Sequence, residues 1–167
     1  MRLAVLAFGK LKTPGLREAA DYYLRLSKGY CSVDEQELKP VFVPEKSPAI
    51  RKQIQKKELD LIRKSLHSQG GSRNLLYLLD EGGKSLRTEE WAELIRAWER
   101  DGIQNVTFCI GSSLGFADEL RSDAKGRILS LGTQTLPHEL ARVVLLEQLY
   151  RALSVTRGHP YHNEGSS

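Results

Sequence analysis

The chain has 167 residues, 40% of them apolar and 28% charged, with a formal net charge of +4. That length suits one domain, 1–167, with a core of its own, and the composition excludes wholesale disorder. No apolar run is long enough for a bilayer-crossing helix, and no basic start with a small-residue cleavage site marks a secretory leader, so a cytoplasmic address is expected.

Cys31 and Cys109 stand far apart without metal-ligand spacing, which reads as two reduced core residues. The charge is unevenly spread. Between Lys39 and Arg73 nine Lys or Arg face three Asp or Glu, an excess of +6 that leaves the remainder slightly acidic. Such a segment favours a polyanionic partner through counterion release, and equally fits a solvated helix face.

In chain order, Arg2 to Phe8 is a short apolar run that reads as a buried strand, stopped by Gly9 and by Pro14-Gly15. Leu16 to Leu26 has helical spacing, with Gly29 just beyond its end. Ser32 to Leu38 alternates weakly and carries acidic residues, as an edge strand would. Lys39 to Pro48 holds three prolines and is a loop. Ala49 to His67 lines up Ile50, Ile54, Leu59, Ile62 and Leu66 on one side of a basic helix, and Gly70-Gly71-Ser72 ends it. Asn74 to Leu79 is a second strongly apolar strand, with Asp80-Glu81-Gly82-Gly83-Lys84 as the loop at its carboxyl end. Thr88 is placed to cap a helix running to Arg100, which Asp101-Gly102 breaks. Val106 to Ile110 is another buried strand and leads into Gly111-Ser112-Ser113-Leu114-Gly115. Phe116 to Leu120 fits a short helix and Arg127 to Leu131 a final strand. This alternation argues an α/β fold with a mainly parallel sheet.

If the strands are parallel, the loops after Leu79, Ile110 and Ser130 emerge on one edge, where open α/β sheets hold their ligands. The Gly111 loop allows close backbone approach, although an ordinary tight turn explains it equally well. No Gly-x-Gly-x-x-Gly is present, Gly82-Gly83-Lys84 lacks phosphate-loop spacing, and Gly-x-Ser-x-Gly is not satisfied around Ser112. His159 and His162 come without a cysteine or acidic cluster, so no metal site is expected.

The last third is the most patterned. Pro137 suits a first helical turn, and Leu140, Val143, Val144, Leu149 and Leu153 recur at helical spacing, widened by Leu145, Leu146 and Tyr150. A helix apolar over so much of its girth packs on two sides. Glu147 and Arg151 lie four apart, in the order that favours an ion pair on a solvated rim.

Leu136-Pro137-His138, the run Leu146-Glu147-Gln148-Leu149-Tyr150-Arg151-Ala152 and the closing Pro160-Tyr161-His162 strongly resemble the ribosomal RNA large subunit methyltransferase H family. The resemblance extends over the whole chain from Met1-Arg2-Leu3 onward. It implies a SPOUT-type α/β fold with helices on both faces of the sheet, a C-terminal trefoil knot within about 74–155, a tail at 156–167, and a homodimer. The implied activity is S-adenosylmethionine-dependent methylation of a pseudouridine N3 in 23S rRNA, on the assembled 70S ribosome, with neither membrane nor metal involved. Carried over by position, cofactor contacts fall on Leu79, on Gly111 and on Leu131, Gly132, Thr133, Gln134, Thr135 and Leu136. His162 becomes the first candidate for a general base, Tyr161 for a group that stacks on or orients the base, and Arg142 and Arg151 for holders of phosphate or an anionic uracil edge. In a dimer the tail would serve the partner's pocket.

One departure stands out. Relatives commonly read Gly-Gly-x-x-Gly in the central loop, and here Ser112 replaces the second glycine. If that position needed a positive φ, serine would cost about 1 kcal/mol or more. Two rival readings remain: methylation of another RNA such as tRNA, or a ribosome-binding protein without catalysis.

Overall fold

The computed structural model describes residues 1–45, 47–68 and 74–159. Its sheet is built from β1 (Arg2–Phe8), β2 (Ser32–Leu38), β3 (Asn74–Ser85), β4 (Asn105–Ile110) and β5 (Ile128–Ser130), in the order β2-β1-β4-β3-β5. Every pairing is parallel. Parallel strands buried on both faces need apolar side chains at every position, which is why β1 and β4 read as continuous apolar runs. Leu3, Val5 and Ala7 feed the core on one face, while Leu6 and Phe8 feed the other.

The helices divide accordingly. Helices α1 (Leu16–Ser27), α3 (Thr88–Arg100) and α5 (His138–Thr156) cover the first face, with α5 packed between α1 and α3. Helix α2 (Pro48–Ser68) supplies Leu59 and Ile62 to the second face, and the short α4 (Asp118–Asp123) supplies Leu120. Gly70-Gly71-Ser72, expected to end this helix, lies outside the described residues.

The breadth of the α5 apolar stripe is used within the chain. Val143, Leu145, Leu146, Leu149, Ala152 and Leu153 are all buried there, and Leu140 is its one exposed large apolar side chain among the described residues. Glu139, at the start of α5, ties down the loop after β1. Its carboxylate accepts hydrogen bonds from the Thr13 hydroxyl (2.6 Å) and from the Lys12 and Thr13 backbone N–H groups. The Thr13 hydroxyl first, then the backbone donors, hold its pKa down at about 2.

Three local expectations need correction. Asp80 to Lys84 is no simple loop, because β3 continues to Ser85: it bulges after Leu79 and resumes pairing at Lys84↔Leu129 and Ser85↔Ser130. The stretch is polar and glycine-rich, so only its partner strand makes it extended. Thr88 is not the cap of α3. The helix starts with it, the Arg87 N–H donates to the Glu90 carboxylate (2.7 Å), and the Thr88 hydroxyl reaches Gln148 instead. Phe116 lies outside α4 and folds back over Gly111.

The bulge brings Gly83 onto the backbone of β5. A Cβ at Gly83 would lie 2.6 Å from the Leu129 carbonyl carbon and 2.8 Å from the Ile128 carbonyl carbon and oxygen. Backbone cannot swing aside as a side chain can. Gly83→Ala is therefore expected to destabilise the fold by about 2 kcal/mol, a typical overpacking cost. A urea midpoint equal to the parent's would show that the crossing relaxes freely.

Candidate active site

Because all five strands are parallel, the carboxyl ends of β4, β3 and β5 open on the same edge. There they enclose a cleft of about 530 Å³, within the usual range for small-molecule sites. Its walls come from the β3 bulge (Leu79, Asp80, Glu81), the loop after β4 (Gly111, Ser112, Phe116) and the loop into α5 (Leu131, Gln134, Thr135, Leu136). These are the three loops that sequence places together. Gly132 and Thr133 belong to the third loop without lining the cleft, and Gly132 adopts φ +143°, a conformation open to glycine. Its N–H donates to the Ser130 hydroxyl oxygen at 3.2 Å, which fixes the turn out of β5.

The loops are joined to one another. The Thr135 hydroxyl donates to the Glu81 carboxylate at 2.5 Å, closing the first wall on the third. Asp80 accepts from Arg121 Nη1 at 2.7 Å and from the Gly82 N–H at 2.9 Å. The Arg121 hydrogen bond, helped by Gly82, holds the Asp80 carboxyl below its ordinary range against the effect of burial, so Asp80 is an ion-paired anion. A Cβ on Gly111 would lie 3.1 Å from the Phe116 ring, so any larger residue would have to push that ring aside.

Ser112 carries no backbone strain, since no residue other than glycine has a positive φ among the described residues. Its hydroxyl donates to Glu58 Oε2 at 2.9 Å and accepts from the Leu114 N–H at 3.3 Å. The cost expected for a serine at this point does not arise.

Arg142 lies apart from the cleft. Its side chain is 1% exposed and stays within the chain, 3.1 Å from Glu35 and 3.3 Å from Glu37 of β2, with the Gly9 carbonyl at 3.4 Å. It does not line the cleft. A cation buried this deeply needs partners, and the acidic residues of β2 provide them. Its partners within the chain are therefore the carboxylates of β2, away from the cleft. Arg151 pairs with Glu147 as its spacing foretells (Nε to Oε1 2.9 Å), half-buried and also outside the cleft lining. Tyr161 and His162 lie outside the described residues.

Sequence reading gives no cleft role to Arg51 or Ala141, which also line it, together with Ser113 of the central loop and His138. Arg51 is hidden in a basic run where its neighbours face solvent. His138, opening α5 beside Pro137, stands out in the sequence within the Leu-Pro-His signature, which assigns it no role in the cleft. No group of three His, Cys, Asp or Glu placed to hold a metal occurs among the described residues, and no described helix is long and apolar enough to cross a membrane.

Comparison with known proteins agrees with this architecture. The chain matches the family described as "Predicted SPOUT methyltransferase" over residues 1–162. It is 38% identical over 164 residues to a ribosomal RNA large subunit methyltransferase H from Streptococcus equi subsp. zooepidemicus, covering 97% of this chain and 99% of that protein. Proteins of the same name from Maridesulfovibrio salexigens (38%, 97% and 98% covered) and Acetivibrio thermocellus (36%, 97% and 99%) match equally fully. A Bacillus anthracis crystal structure described as a "putative RNA methyltransferase" shares the fold with a TM-score of 0.54 over 91% of this chain and 94% of its own, at 10% identity. With its cleft at the ends of three parallel strands and near full-length similarity to these relatives, the chain belongs to the SPOUT methyltransferase family, among the ribosomal RNA large subunit methyltransferase H sequences.

Proposed function

We propose that the chain methylates the N3 nitrogen of a pseudouridine in 23S rRNA on the assembled ribosome, with S-adenosylmethionine as methyl donor. The observation that carries this reading is the cleft itself, whose three walls coincide with the positions that resemblance assigns to the cofactor. The residues present fit such a molecule. Leu79, Ile110, Leu131, Leu136 and Phe116 offer apolar surface to a flat purine, while Glu81 and Arg51 offer charge, and His138 a polar ring, to a zwitterionic amino-acid end. Leu79, Gly111 and the loop from Leu131 to Leu136 would hold it. When bound, S-adenosylmethionine supplies an electrophilic methyl on a sulfonium.

The protein's part is alignment and proton handling. Methyl transfer cancels a positive charge, so a compact, partly apolar cleft favours it, and fixing donor against acceptor supplies much of the rate. The N3 proton must leave, and His162 is assigned that task, with Tyr161 orienting the base. The knot, the homodimer and a tail reaching the partner's cleft follow from the same family resemblance. RNA is placed on the outer side of α2, where Lys52, Lys56, Lys57 and Lys64 are exposed.

The decisive experiment compares methylation of intact ribosomes, free 23S rRNA and tRNA, with the modified base identified by mass spectrometry. Ribosomes are expected to be methylated at a pseudouridine N3 at least tenfold faster than either free RNA. Faster modification of tRNA would reassign the substrate. Absence of heat on titration with millimolar S-adenosylmethionine would leave a binding protein without catalysis.

A further inference from the structure

The loop from Gly111 to Phe116 is held from behind by one helix. Arg51, Gln55 and Glu58 stand at successive turns of α2 and all reach it. Arg51 donates twice to the Leu114 carbonyl oxygen, at 3.1 and 2.9 Å. Gln55 Nε2 donates to the same oxygen at 2.8 Å and to the Phe116 carbonyl at 3.4 Å. At the inner end of this stripe Glu58, 5% exposed, accepts the Ser112 hydroxyl, which in turn receives the Leu114 N–H. Phe116, fixed at its own carbonyl, lays its ring against Gly111. Contact thus runs unbroken from α2 to the glycine backbone of the cleft.

A buried carboxyl met by one hydroxyl is a costly thing for a fold to keep. Burial pushes the Glu58 pKa up, and the Ser112 hydrogen bond works against that shift. Replacing both partners of such a buried hydrogen bond by apolar groups of similar shape can be nearly neutral or stabilising, so packing does not require the pair. We propose that Glu58, acting through Ser112, is a positioning residue that sets loop 111–116 in the shape that receives the methyl donor. The inference rests on the reading of the cleft as the methyl-donor site. It also gives Ser112 a part that a glycine at that place could not play, having no hydroxyl with which to reach α2.

The test uses the full chain with Glu58→Gln, and with Glu58→Leu combined with Ser112→Ala. Glutamine keeps an acceptor for Ser112, whereas the double variant removes both polar partners and leaves the interior apolar. Three readouts are taken: the urea midpoint, amide hydrogen exchange at Leu114 and Gly115, and calorimetric titration with S-adenosylmethionine. The double variant is expected to match or exceed the parent in stability, to exchange the loop amides at least tenfold faster, and to bind about tenfold more weakly. Glu58→Gln is expected to stay within twofold of the parent in binding. A merely structural role would lower stability and affinity together, and that outcome overturns the proposal. Unchanged exchange and affinity in the double variant overturn it as well. A parent chain that takes up no S-adenosylmethionine would sink the reading of the cleft, while the exchange rates would still decide whether the clamp exists.

Discussion

Arg142→Ala should destabilise the protein by about 3 kcal/mol, the lower end of what removing one partner from a buried ion pair costs. The guanidinium is 1% exposed and stands between Glu35, itself 8% exposed, and Glu37. Deleting it leaves two carboxylates facing a cavity under α5. Arg17 softens the loss, since its Nη2 lies 2.6 Å from Glu35 Oε2 and its Nη1 3.7 Å from Glu37. Arg17→Ala should cost under about 1 kcal/mol, because that side chain is 39% exposed and screened by solvent. Replacing both members at once, with Arg142→Met and Glu35→Leu, should recover most of the stability, as buried ion pairs exchanged for apolar groups commonly do. Urea unfolding of the three variants measures this directly. Recovery in the double variant, with methylation intact, assigns Arg142 to the scaffold. Recovery of stability with methylation lost would return it to the substrate.

Arg142 also shows where sequence reading stops. Its helix was legible because the apolar spacing from Leu140 to Leu153 is local, repeating every three or four residues. The strands were legible for a related reason: β1 and β4 are covered on both faces, so burial alone makes them apolar runs. Once the strands are parallel, geometry sends their ends to one edge, and the cleft follows without any knowledge of side-chain contacts. What was hidden lies in pairings between distant segments. Glu35 and Glu37 look like the solvated face of an edge strand until α5, over a hundred positions later in the chain, lays a cation on them. The extended stretch after Asp80 has no strand propensity and owes its shape to β5. Ser112 looked like a defect in a glycine loop because φ cannot be read from residue types, nor can the carboxylate behind it.

His162→Ala is expected to slow methylation at pH 7 by at least about 100-fold, the low end of general-base contributions, while S-adenosylmethionine binds within about threefold of the parent affinity. The reasoning is chemical. The N3 position of a neutral pseudouridine bears a proton that must be gone once the methyl has arrived, and an imidazole with an ordinary pKa of about 6.5 accepts it at neutrality. Asp80 is a poor alternative, since its ion pair with Arg121 holds its pKa down and engages its oxygens. His138 is a sharper rival, because it lines the cleft at the start of α5. Measuring the pH dependence of kcat for His162→Ala and His138→Ala side by side separates them. The variant lacking the true base should lose the acidic limb of the profile, and the other should keep it. A His162 variant with the parent's rate and limb, beside a His138 variant lacking both, would move proton abstraction from the tail to the cleft wall.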